Sequence, residues 1–109
     1  MQQLPTTNPN ALYETVESGT EVTVVDVRQP HEFERNHIDH PNARTVNVPL
    51  NQLQALDPAN LLEDVPTEKV VAVCASGNRS SFATRILNQA GIPAENLEYG
   101  MQGWLQVAS

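Results

Sequence analysis

Apolar residues along the chain fall into two rhythms, short β-branched runs and stretches with the spacing of one helical turn. The first eight residues, MQQLPTTN, fit neither; they are polar, contain a proline, and read as a lead-in liable to fray. Asn8 as a cap, Pro9 at the first helical position, Leu12 and Val16 one turn apart, and Gly19 as the stop predict a helix. Residues 21–26, EVTVVD, are a β-branched run of strand length ending in a carboxylate. Pro30, with Glu32 in the first turn, opens a short helix over about residues 30–35, and residues 37–43 read as a loop. Residues 45–48 predict a short strand ended by Pro49; Leu50, Leu53 and Leu56 then have helical spacing until Asp57-Pro58 breaks it.

Residues 70–73, VVAV, form a continuous apolar strand of the kind buried on both faces of a parallel sheet. A loop over residues 74–79 leads into a helix over about 79–90, with Ala83, Ile86, Leu87 and Ala90 on one face and Gly91 as its cap. A last strand near 96–99 is followed by Gly100 and a helical turn carrying Trp104. Strands alternating with helices predict an α/β fold, a central mainly parallel sheet with helices on both faces. Ligands of such sheets sit beyond the carboxyl ends of the strands. Asp26 and Cys74 each end a strand, so both are expected at that one edge.

Composition narrows the possibilities. The 109 residues, 1–109, are the length of a single domain with one core. Hydrophobic residues at 39% against 17% charged do not describe a disordered chain. One cysteine excludes an intramolecular disulfide framework and a multi-cysteine zinc site. Thirteen acidic residues against six basic ones, a net charge of −7, argue against a nucleic-acid partner. No apolar run approaches the ~20 residues of a membrane span, so no membrane role is expected, and a cytoplasmic protein with a reduced thiol is.

The chemistry gathers at residues 74–80, CASGNRS. A thiol ends a buried strand, a small glycine-containing turn follows, and a helix begins near Arg79. Inward-pointing amides meeting a helix N-terminus make a concave anion site, which lowers the pKa of a cysteine placed in it. Ala75, Ser76 and Gly77 are small enough for the backbone to close around a bound group, and Arg79 adds planar donors suited to an oxyanion. The competing reading, a cysteine packed in the core, is the commoner fate of a free thiol, but it does not account for the turn and helix start that follow.

These residues resemble the active loop of the rhodaneses, in the sulfurtransferase superfamily: Cys74-Ala-Ser-Gly77-Asn-Arg79-Ser80 matches that family's C-x-x-G-x-R-S. Val25-Asp26-Val27-Arg28 with Pro30-His-Glu32-Phe33 and His37-Ile38 resembles its DVR-x-P-x-E-[FY] and G-H-I elements, and Gly100-Met-Gln-Gly103-Trp104 its closing segment. The elements follow the family's order from residue 25 to residue 104. The resemblance implies a rhodanese-like fold and an enzyme, a thiosulfate sulfurtransferase. Cys74 would take sulfane sulfur from a small anionic donor such as thiosulfate, become a persulfide, and pass the sulfur to cyanide or a thiol, protein thiols included. It implies that the amides of Ala75, Ser76, Gly77, Asn78, Arg79 and Ser80 cradle the persulfide, that Arg79 orients the donor, and that no metal or organic cofactor takes part. Asn36 stands where the family has the glycine before His-Ile, the segment after His37 is longer than usual, and Tyr99 takes the first place of a customary Gly-Gly pair.

Asp26 and Arg28 are expected to support the site, Asp26 by accepting from loop amides or pairing with Arg28 or Arg79; for Arg28 a plain surface position is equally consistent with the sequence. His31, His37 and His40, with Asp39 close by, are weak evidence for a metal because the loop lacks cysteines. Phe33 and Trp104 read as core residues. Two other functions compete. A phosphatase or arsenate reductase also grips an oxyanion with a cysteine loop, but phosphatase loops read C-x5-R whereas Cys74 to Arg79 is C-x4-R, a tighter cradle. A non-catalytic interaction module is the third, and the presence of Cys74 argues against it.

Overall fold

The computed structural model describes residues 4–108. Its elements in chain order are β1 (Thr6–Thr7), α1 (Pro9–Glu17), β2 (Val22–Asp26), α2 (Pro30–Arg35), β3 (Ala43–Asn47), α3 (Leu50–Ala55), α4 (Pro58–Leu61), β4 (Val70–Val73), α5 (Asn78–Gln89), β5 (Ala94–Leu97) and α6 (Gly100–Ala108). The strands form one five-stranded sheet in the order β1-β5-β4-β2-β3, and every pairing is parallel. The all-apolar β4 is the middle strand, buried along its whole length as a strand covered on both faces must be.

The alternation of side chains along each strand divides the core in two. Val25, Val27, Val70, Ala72, Cys74 and Ala94 meet Leu53, Leu62, Ala83 and Leu87 from α3, α5 and the segment after α4. Val22, Val24, Val71, Val73 and Leu97 meet Leu12 and Val16 of α1 and Met101 and Trp104 of α6 on the opposite face. The predicted α/β architecture is the one observed. The caps work as the sequence suggests: the Asn8 side chain accepts from the Ala11 amide at 2.9 Å, and Pro9 stands in the first turn of α1.

Several boundaries differ from the expectation. Residues 1–8 read as a lead-in; Met1–Gln3 lie outside the described residues, whereas Thr6–Thr7 add an edge strand beside β5. Two polar threonines carry no apolar alternation, so only the neighbouring strand reveals them. The last strand begins at Ala94, two residues before the predicted start, and ends at Leu97, since Tyr99 turns out of the sheet with φ 65 and is 63% exposed. Asp57-Pro58 ends α3 but also starts α4, with the Asp57 carboxylate accepting from the Ala59 amide at 3.1 Å. Trp104 lies on a helix of nine residues rather than on a single turn.

Candidate active site

Parallel pairing of Asp26 with Val73 brings the carboxyl ends of β2 and β4 together, so the segments after both strands share one edge. Cys74, 1% exposed, is the first residue past β4. The chain then turns through Gly77, whose φ of 106 is a conformation that side-chain-bearing residues rarely adopt. That turn aims the Gly77 amide at Cys74 Sγ, 3.0 Å away. Ser80, in the first turn of α5, places its Oγ 3.3 Å from the same sulfur.

A third strand braces this arrangement. Asn96 of β5 accepts from Ser80 Oγ at 2.5 Å through Oδ1 and donates from Nδ2 to the Gly77 carbonyl at 3.2 Å. From the other side, the amides of Met101 and Gln102 donate to the Cys74 and Ala75 carbonyls at 2.8 and 3.1 Å, so the start of α6 sits on the start of the loop. Gly100 makes that approach possible, because a Cβ there would lie 2.2 Å from the Cys74 carbonyl oxygen.

Burial pushes the Cys74 thiol up, but the Ser80 hydroxyl and the amides of Ser80, Gly77 and Ser76 outweigh it and hold the thiol below its ordinary value. The site therefore favours a thiolate through hydrogen bonds from its own loop and helix start. Arg79 faces outward: Nη1 and Nη2 donate to Glu32 Oε1 and Oε2 at 2.7 and 2.9 Å. This two-pronged pairing holds the Glu32 carboxyl at about 2 and the Arg79 guanidinium above its ordinary value. Glu32 Oε1 also accepts from the Gln29 amide at 3.0 Å, which caps α2.

Asp26 and Arg28 form a second pair, fully buried. Arg28 Nε and Nη2 reach the two carboxylate oxygens at 3.0 and 2.8 Å, while Nη2 also donates to the Asn36 carbonyl at 2.6 Å. Arg28 is 4% exposed, so it is no surface arginine, and the Asp26 partner is Arg28 rather than Arg79. Asn36, where the family's motif has glycine, offers its side-chain oxygen to Arg28 Nη1 as well, at 3.3 Å. A cleft of about 190 Å³ is lined by one member of each pair, Arg28 and Glu32, and by Arg35, Ala75, Met101 and Leu105 among others.

Among the sequence candidates, Gly77 and Ser80 both contact Cys74 Sγ, and the Ser76 amide bears on the sulfur. Ala75 lines the cleft, Asn78 is exposed at the start of α5, and Arg79 is turned to Glu32. Two residues escaped the sequence reading as site residues. Glu32 stood there only as a helix-start residue and part of a motif. Asn96 is a lone amide on a buried strand, and that polarity was the signal available. Phe33 is not core; its ring stacks on His37 with centroids 4.2 Å apart. His40 lies 3.6 Å from Glu17, and among the described residues no three His, Cys, Asp or Glu side chains cluster as metal ligands would.

Comparison with known proteins bears on this geometry. The family model of the rhodanese-like domain matches residues 8–107. A Bacillus subtilis protein named "Putative sulfur carrier protein" is 28% identical over 102 residues, 93% of this chain and 51% of its own length. Rhodanese-like domain-containing protein 17 of Arabidopsis thaliana is 32% identical over 110 residues, covering 92% of this chain and 67% of that protein. The human single-domain sulfurtransferase structure superposes with a TM-score of 0.75 at 25% identity, covering 98% of this chain and 100% of that one. The chain thus spans about half the length of the Bacillus relative and all of the human structure. With the five-stranded parallel sheet and the cysteine loop at its edge, these matches show that the chain belongs to the rhodanese-like domain family.

Proposed function

We propose that this chain moves sulfane sulfur through a persulfide on Cys74. The observation that carries the reading is the aim of the loop: the Gly77 amide points at Sγ from 3.0 Å, and Ser80 Oγ lies 3.3 Å from the same sulfur. The Cys74 thiolate attacks the outer sulfur of a donor, the donor's S–S bond breaks, and the remainder leaves with the bonding electrons, as sulfite when the donor is thiosulfate. Negative charge then rests on the outer sulfur of Cys74–S–S⁻, where the amides of residues 75–80 meet it. A nucleophilic acceptor, cyanide or a thiol, attacks that outer sulfur and restores the thiolate. Cys74 is the nucleophile, Ser76, Gly77 and Ser80 stabilise the anion, and Asp26 with Arg28 holds the neighbouring loop in place. The whole of residues 1–109 acts as one domain in this reading, and a cytoplasmic setting suits its need for a reduced thiol.

The phosphatase reading is weaker on two counts. The loop has one residue fewer than C-x5-R, and Arg79, the residue that would clamp a phosphate, is held by Glu32. Intact mass after exposure to thiosulfate or a small-molecule persulfide tests the proposal. The mass of one sulfur atom should appear, vanish with cyanide or dithiothreitol, and be absent in Cys74→Ser. An adduct that persists in Cys74→Ser, or none in the wild type with either donor, would overturn it.

A further inference from the structure

Three arginines stand at the edge where donors would arrive, and carboxylates claim two of them. Arg28 is bound by Asp26 beneath the surface. Arg79 pairs both Nη groups with Glu32, which lines the cleft, and the two side chains are 38% and 24% exposed. Arg35, exposed at the end of α2, lines the same cleft, and among the described residues no carboxylate lies within 4.0 Å of it. We infer that Glu32 is a specificity-determining residue, which masks the Arg79 cation and so turns the cysteine loop away from small, highly charged donors. The inference rests on the sulfur-transfer reading for its biological meaning, but the charge at the mouth can be read without any transfer.

Glu32 and an anionic donor compete for the same guanidinium. A carboxylate gripping a planar guanidinium through two parallel hydrogen bonds is a strong, directional pairing. An incoming dianion gains the full, uncompensated Arg79 charge only by displacing Glu32, which is tethered to its own helix start through the Gln29 amide and returns at high effective concentration. A donor of low charge needs no displacement. It meets the amides at Sγ and the apolar wall of Met101 and Leu105. Glu32 itself lines the cleft that Ala75, the neighbour of Cys74, also lines, so its charge faces anything that enters by that cleft.

Alkylation of Cys74 reports this charge directly, since iodoacetate and iodoacetamide differ by one negative charge at similar size. The ratio of their rate constants cancels any change in the thiolate population. In Glu32→Gln an amide oxygen can still accept from the Gln29 amide, while Arg79 is left uncompensated. The iodoacetate-to-iodoacetamide ratio should rise roughly threefold to tenfold at low salt and the gain should shrink at high salt. Restoring neutrality in Glu32→Gln/Arg79→Gln should return the ratio to near the wild-type value. The thiolate's ultraviolet absorbance gives a second readout that needs no reagent entry, and the Cys74 pKa should fall in Glu32→Gln. If neither the ratio nor the pKa moves in Glu32→Gln, or if the double variant keeps the gain, the mask does not exist. An absent sulfur adduct with a shifted ratio would instead retain the mask and remove the transfer reading.

Discussion

The two arginine–carboxylate pairs at the sheet edge have the same chemistry and opposite surroundings. Asp26 and Arg28 are two residues apart, 0% and 4% exposed, and Arg28 also donates to Asn36. Glu32 and Arg79 are 47 residues apart, come from different segments, and stand half in water. Water decides what each pair can do. A buried pair has surrendered its hydration and holds only while both partners remain, so it acts as a clasp. A half-exposed pair contributes little to stability, because water and salt compete for each partner. What it retains is exchangeability, and a charge near a reactive sulfur is useful only if it can be exchanged.

The largest effect should come from breaking the buried pair on one side. Asp26→Ala leaves Arg28 buried without its counter-charge, and urea denaturation should show a loss of about 3–5 kcal/mol. The exposed pair should behave otherwise. A double-mutant cycle through Glu32→Gln and Arg79→Gln should give a coupling of about 0.2–1 kcal/mol by the same measurement. Were the cycle to match the Asp26→Ala loss, burial would not be what separates the pairs. The smallest effect is in its pH dependence. The folded-state pKa of Glu32, about 2, lies below its ordinary 4.5, so its contribution is fully present above about pH 4.5 and fades as the pH falls towards 2. The stability difference between wild type and Glu32→Gln should therefore be flat from pH 7 to 5 and shrink in acid. A difference that grew on acidification would contradict the pairing.

Legibility in the sequence followed distance along the chain. Asn8, Pro9 and Pro30 mark helix starts because a cap acts within one turn, and the Cys74–Ser80 loop could be read because its parts lie within seven residues. The fold class followed from alternation of apolar runs, which survives small errors in strand ends. What could not be read is what folding alone brings together. Asn96 reaches Ser80 across 16 residues and Glu32 reaches Arg79 across 47, and no periodicity encodes either meeting. Arg28 could not be placed from local pattern either, because its burial depends on Asn36 closing over it. The β5 boundary was misplaced for a related reason: Tyr99 has strand propensity, but the chain must turn there to seat Gly100 on the Cys74 carbonyl.

Ser80 carries one hydroxyl hydrogen and stands between two acceptors, Cys74 Sγ and Asn96 Oδ1. It cannot serve both at once. While the sulfur is protonated, its S–H can donate to Oγ and the hydroxyl can remain on Asn96; once the sulfur is ionised, the hydroxyl turns to it and the buried amide oxygen loses its donor. Each gain or loss of a proton at the sulfur therefore swings one hydrogen across the loop, and the β5 amide registers the protonation state of a sulfur it never touches. A carbonyl vibration of Asn96 that shifts with the titration of Cys74, and is silent in Ser80→Ala, would make that hand-over visible.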